Sequence, residues 1–221
     1  MRVLVLDTAL GACQAGVFDG ETAVATLERL MEQGGMERIA GLTRDLMQSA
    51  GAGFEAVDRI GVTTGPGSFT GLRVGLAFAQ GLGAALARPV VGVSSLDALA
   101  ASTVETGAVL AVIDARREQV YARVFRDGVG TGPAEALSLA DAAALAESLG
   151  PGLRLVGSGA ALLADGLERP QITPLAAPTL AALAGLTQAA DPEATPPRPL
   201  YLRAPDAKPP TRRPGAPRTS A

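Results

Sequence analysis

The chain has 221 residues, 48% of them hydrophobic and 3% aromatic, with a formal net charge of −3. That length buries one large core or two small ones, and the slight acidity offers no basic face to coat nucleic acid. There is no histidine, which excludes His-ligated zinc, Ser-His and Cys-His bases and HExxH chemistry; any catalysis would fall to carboxylates, lysine or backbone groups.

The opening "MRVLVLDTAL" holds one basic residue and an apolar run broken by Asp7, a poor signal peptide. No run of about 20 apolar residues follows, so the expectation is a soluble, cytoplasmic protein without a membrane span. "RVLVLDT" reads as a strand ending at Asp7. "CQAGVFDG" and "ETAVATLE" read as two more, joined by an Asp19-Gly20 hairpin turn. The single cysteine, Cys13, has no base among its neighbours and reads as a buried structural thiol in a reducing compartment. Met36 to Ala50 carries Met36, Ile39, Leu42, Leu46 and Met47 at helical spacing. "DRIGVTTG" is a strand entering a glycine-rich loop, and Leu72 to Ala87 is a helix stopped by Arg88-Pro89. "PVVGVSS" is a short strand, and "SLDALAAS" opens a helix capped by Ser94 or Ser95.

The pattern then returns. "AVIDARREQVYARVFRDG" (111–128) repeats the layout of "LVLDTALGACQAGVFDG" (4–20), with Asp114 and Phe125 standing where Asp7 and Phe18 stood, 107 residues on. A helix near Leu139 to Leu149, the strand "LRLVG", and helices near Ala160 to Leu167 and Pro178 to Ala189 complete the second copy. Two βββαβα halves, 1–104 and 105–203, indicate an α/β fold of actin-like or sugar-kinase-like ATPase type. In that fold the hairpin turns of both halves face one cleft and cradle phosphates. Here the turns are thin: "DTALGAC" has one glycine, and "DARREQV" has none and adds Arg116, Arg117 and Glu118. A turn that approaches phosphate wants amides free of side chains. Past Ala194 the chain turns Pro-rich, and from Ala204 four basic residues stand against Asp206. Residues 204–221 read as a disordered, solubilising tail, with an RNA-contacting arm as the alternative.

The loop "TTGPGSFTGL" is neither a Walker A motif, lacking the Lys-Ser/Thr pair, nor Gly-x-Ser-x-Gly, and Ser68 has no histidine to activate it. Beyond it Gly71, Gly75, Ala79 and Gly83 fall at strict four-residue spacing. Each helical glycine costs on the order of 1 kcal/mol against alanine, so a bare stripe needs a packing reason. Two readings stand: the stripe meets the protein's own sheet, or it meets another chain. Leu72, Leu76, Phe78 and Leu82 make the other flank apolar too, as in a helix covered on more than one side.

"GPGSFTGLRVGLAFAQGL", "PVVGVSSLDALA", "VLVLDTA", "VLAVIDARREQVYARVF" and "YLR" occur in order from residue 2 to about 203. Together they resemble the bacterial tRNA threonylcarbamoyladenosine biosynthesis TsaB family. The resemblance implies an actin-like, non-catalytic protein with no catalytic residue, metal or cofactor of its own. It implies pairing with a TsaD-type catalytic subunit through the first half's two helices, here by Ile39, Leu42, Leu46, Gly71, Leu72, Gly75, Leu76, Ala79 and Gly83. It also implies a homodimer when alone, a TsaE-type ATPase in a complex that uses ATP, and tRNA met through that complex. Asp7 and Thr8 are left as the residues for any nucleotide contact. One departure is Gly35, where family members often carry a histidine. Rival readings are an actin-fold small-molecule kinase using Asp7 or Asp114, and a glycoprotease-like peptidase.

Overall fold

The architecture comes from a computed structural model that describes residues 1–30, 38–103, 106–165, 167–168 and 170–203. Met36, Gly35 and the 204–221 tail lie outside the described residues.

Strand β1 (Arg2–Asp7) runs antiparallel to β2 (Ala12–Asp19), which turns at Gly20, with φ 57°, into β3 (Thr22–Leu30). Helix α1 (Ile39–Ser49) follows, then β4 (Arg59–Gly65), α2 (Phe69–Leu86), β5 (Val90–Ser94) and α3 (Ser95–Ala101). The first sheet has the order β3-β2-β1-β4-β5, with β4 parallel to both β1 and β5. Val3 to Leu6 of β1 are all apolar because both faces of the strand are covered. Leu4 and Leu6 join the core under α1 and α2, while Val3 and Val5 join the core on the opposite face. Each fully buried leucine of this kind is worth about 1.5–3 kcal/mol.

α2 begins earlier than the spacing predicts. Ser68 caps it, its hydroxyl accepting from the Gly71 amide at 3.2 Å. It ends on Ala87 in the left-handed region, φ 52°, just short of Pro89. α2 is 18 residues long and apolar enough, by length and composition, to cross a membrane, yet its glycine face is packed on the first sheet.

The second sheet repeats the plan. β6 (Ala108–Arg116) pairs antiparallel with β7 (Gln119–Arg126), which also meets β8 (Val129–Gly130) and β9 (Glu135–Ser138). α4 (Leu139–Ser148), β10 (Arg154–Val156), β11 (Gln171–Thr173) and α5 (Leu180–Ala189) follow. β10 is parallel to β6 and β11. Leu110 and Val112 face the core beside α4, while Val109, Ala111 and Ile113 pack with Leu96 and Leu99 of α3. The helix expected over 160–167 is a single 3₁₀ turn, Ala160–Leu163.

α5 crosses back to the first sheet. Leu183 and Ala184 pack with Val3 and Val5. Arg59 Nη1 donates to the carbonyls of Thr187, Gln188 and Ala190 at 2.9, 3.1 and 2.7 Å, neutralising the helix C-terminus. Both sheets also carry a bulge: the register skips Thr64 in β4 and Ala115 in β6. A bulge turns one residue out of the ladder and re-aims its backbone groups.

Candidate functional site

A cleft of about 910 Å³ opens between the β1–β2 turn, the glycine loop, the β6–β7 turn and the segment 200–203. Its floor is built from chain-to-chain contacts of the loops themselves. The Ser68 amide donates to the Ala9 carbonyl at 2.7 Å, and a Cβ on Gly67 would overlap that same carbonyl. Only glycine lets the two backbones approach so closely. The first amide of the α2 N-terminus is therefore already taken by a carbonyl of this chain.

Asp7 lies behind this floor, fully buried. Its carboxylate accepts from the Ala9 amide at 2.9 Å, the Thr63 hydroxyl at 2.7 Å and the Gln14 amide at 3.1 Å. Burial raises its pKa above the usual carboxylate value, and the three donors partly offset that rise. Thr8 is also buried and spends its hydroxyl on the Gly71 carbonyl at 2.7 Å. Neither side chain lines the cleft. Asp7 and Thr8, left as the residues for any nucleotide contact, brace the β1–β2 turn against α2.

In the second half Asp114 does line the cleft. It accepts the Arg116 amide at 2.7 Å and pairs with the Arg116 guanidinium at 3.1 Å. Arg116, Arg117 and Glu118 all hold left-handed backbone, with φ of 63°, 55° and 58°. Three such non-glycine residues in a row are costly, on the order of 1–2 kcal/mol each. Asp114 is the one carboxylate among the described residues lining the cleft.

The glycine stripe faces inward. A Cβ on Gly75 would overlap the Thr8 hydroxyl, and one on Gly83 would overlap Val90 and lie 3.0 Å from the Arg88 carbonyl. Gly71 and Ala79 are buried on the same face, with Leu72 and Leu76 beside them. Ile39, Leu42 and Leu46 are buried on the inner face of α1 in the same core. All nine residues assigned to a partner are therefore core of this chain, a correction with a simple cause. Helical spacing shows that a face is covered and cannot say by what. The outward face of α2 is Arg73, Ala77, Gln80, Gly81 and Ala84.

The cleft mouth holds residues that the sequence reading left unassigned. The rings of Phe69 and Tyr201, each about half exposed, lie 5.5 Å apart between centroids. The Arg73 guanidinium sits 3.7 Å over the Phe69 ring, a cation–π contact. Arg203 Nη1 donates to the Ala115 carbonyl at 3.1 Å and reaches Gln119 Oε1 at 3.4 Å. The available signal was the apolar pair Leu200-Tyr201 set in a Pro-rich stretch.

Residues 30–154 match the family described as TsaD, tRNA N6-adenosine threonylcarbamoyltransferase. The chain belongs to the TsaD family. The TsaB proteins are its named relatives here: TsaB of Escherichia coli is 37% identical over 124 residues, covering 55% of this chain and 53% of that protein. An uncharacterized protein of Mycobacterium leprae is 40% identical over 94% of this chain, and the chain spans 56% of its length. The crystal structure called YeaZ from Pseudomonas aeruginosa superposes with a TM-score of 0.75 at 28% identity, over 91% of this chain and 99% of that one. A 2-hydroxyisocaproyl-CoA dehydratase activator from Clostridium difficile, TM-score 0.53 at 11% identity, shares the fold alone. The TsaD-family chain is thus actin-like in architecture, two α/β halves around a cleft.

Proposed function

We infer that this TsaD-family chain takes part in tRNA threonylcarbamoyladenosine biosynthesis, as the names of its TsaB relatives indicate, and does so as a non-catalytic cytoplasmic subunit. The observation that carries the second part is the cleft. Asp7 is sealed behind its floor, and Asp114, the one carboxylate among the described residues lining it, is engaged by Arg116. A general base must reach the proton it abstracts, and neither carboxylate is free to do so. With no histidine in the chain, the means of activating a nucleophile are correspondingly few.

The partner is a TsaD-type catalytic subunit, with a TsaE-type ATPase completing a complex that consumes ATP and receives the tRNA. Alone, the chain pairs with itself through the same surface. That surface is the outward face of α2, where Ala77, Gly81 and Ala84 allow another helix to approach closely, flanked by Arg73 and Gln80.

Reconstitution tests the reading. The purified chain, given threonine, bicarbonate, ATP and tRNA, forms no modified adenosine; adding TsaD-type and TsaE-type partners restores it. Product in the tube without partners would refute the non-catalytic assignment. In the same reconstitution Ala77→Arg weakens association with the TsaD-type subunit and leaves the melt unchanged. Undiminished association would move the interface elsewhere.

A further inference from the structure

The segment after α5 lies along both halves of the molecule. The Thr195 carbonyl accepts from the Gly92 amide at 2.8 Å, beside β5, the edge strand of the first sheet. The Pro197 carbonyl accepts from Gln80 Nε2 of α2 at 2.8 Å. The Leu200 amide donates to the Thr64 carbonyl at 2.8 Å, and the Tyr201 ring rests against Phe69. All of these contacts are with the first half. Two residues later Arg203 reaches across the cleft to Ala115 and Gln119 of the second half.

The receiving atoms are not ordinary ladder groups. Thr64 in β4 and Ala115 in β6 are both residues that the register skips. Each bulge frees one carbonyl from its sheet, and residues 200 and 203 take those two carbonyls. The seating is also unequal. On the first half it includes three bonds to backbone groups of the strap, the ring contact and the approach of Arg73 Nε to the Tyr201 hydroxyl at 3.5 Å. On the second half Arg203 Nη1 meets two acceptors.

We propose that residues 195–203 are a strap that holds the two halves closed, with Arg203 as its latch. The strap stays on the first half, and the cleft opens by breaking the Arg203 contacts with the β6–β7 turn. A guanidinium suits this role, because its charge is permanent and it is more weakly hydrated than an ammonium, so it is held more readily against the protein acceptors. The proposal is independent of the chain's part in tRNA modification and is tested on the chain alone.

Spin labels at Gln48→Cys on α1 and Val129→Cys on the far hairpin report the distance between halves. Both positions are exposed and Cys13 is buried, so the labels report only the intended sites. In the full-length chain the distance distribution is narrow. Arg203→Ala adds a longer-distance population, raising the open fraction about 10-fold or more, the scale of a lost charged hydrogen bond. Arg203→Lys falls between. Arg198→Ala, on the same strap but with no contact to the second half among the described residues, matches the parent chain. Hydrogen exchange at the Leu200 amide changes less than about 3-fold in Arg203→Ala, because the strap remains seated on the first half. An unchanged distribution in Arg203→Ala overturns the latch, as does equal broadening in Arg198→Ala. Exchange at Leu200 rising in step with the open fraction overturns the assignment of the strap to the first half.

Discussion

Gly75 and Gly81 sit on opposite faces of α2, and the same substitution at each should change stability in opposite directions. At Gly81 the added methyl meets nothing within 4 Å. Gly81→Ala therefore gains the helix propensity alone, about 1 kcal/mol. At Gly75 the same gain applies, but the methyl overlaps the Thr8 hydroxyl. Overpacking a tight site costs about 1–3 kcal/mol. Driving the Thr8 hydroxyl from the Gly71 carbonyl, a buried bond of 2.7 Å, costs about 1–3 kcal/mol more. The net for Gly75→Ala is a loss of about 1–5 kcal/mol. At roughly 2–4 °C per kcal/mol for a chain of this size, Gly81→Ala raises Tm by a few degrees and Gly75→Ala lowers it by several. Thermal melts by circular dichroism, run side by side, read both. Equal shifts of the same sign would mean that α2 does not lie with its glycine stripe on the first sheet. The orientation of the outward face, and the interface proposed on it, would fall with that result.

Other consequences are smaller in scope. Arg59→Met removes the cation over the α5 C-terminus and costs about 2 kcal/mol in a denaturant titration, with Arg59→Lys recovering part of it; no change would deny that Arg59 holds α5 in place. Asp7 has a folded pKa raised by burial, so between its unfolded and folded pKa values the folded chain binds more protons than the unfolded one. Its contribution to stability thus falls as pH rises through that window and stays low above it. Asp7→Asn should remove this slope from the difference between the two stability curves, and parallel curves would contradict the assignment. Gly83→Leu forces a side chain into Val90 and should collapse the melt before association can be measured, whereas Ala77→Arg on the opposite face should leave the melt intact.

The strand-Asp-turn-strand hairpins at both ends of the 107-residue offset were legible because a strand alternates with period two and a turn is marked by local residues such as Asp19-Gly20. α1, α2, α3 and α4 were legible for the same kind of reason: apolar spacing, and for α3 a capping serine, lie within a few positions of one another. The glycine stripe announced a close contact and left its partner undetermined. That partner is set by Thr8 and Val90, and only the folding of β1 and β5 against α2 brings them there. α5 and the strap were least legible. Arg59 meets the Ala190 carbonyl across 131 positions and Arg203 meets Ala115 across 88. The sequence by itself determined two repeated strand-turn-strand hairpins, a bare helix face and the absence of histidine, since each is written in near neighbours or in plain composition. The tertiary structure alone decided that the face turns inward, that the last helix returns to the first sheet, and that the strap crosses the cleft, because no local period encodes a contact between residues a hundred positions apart.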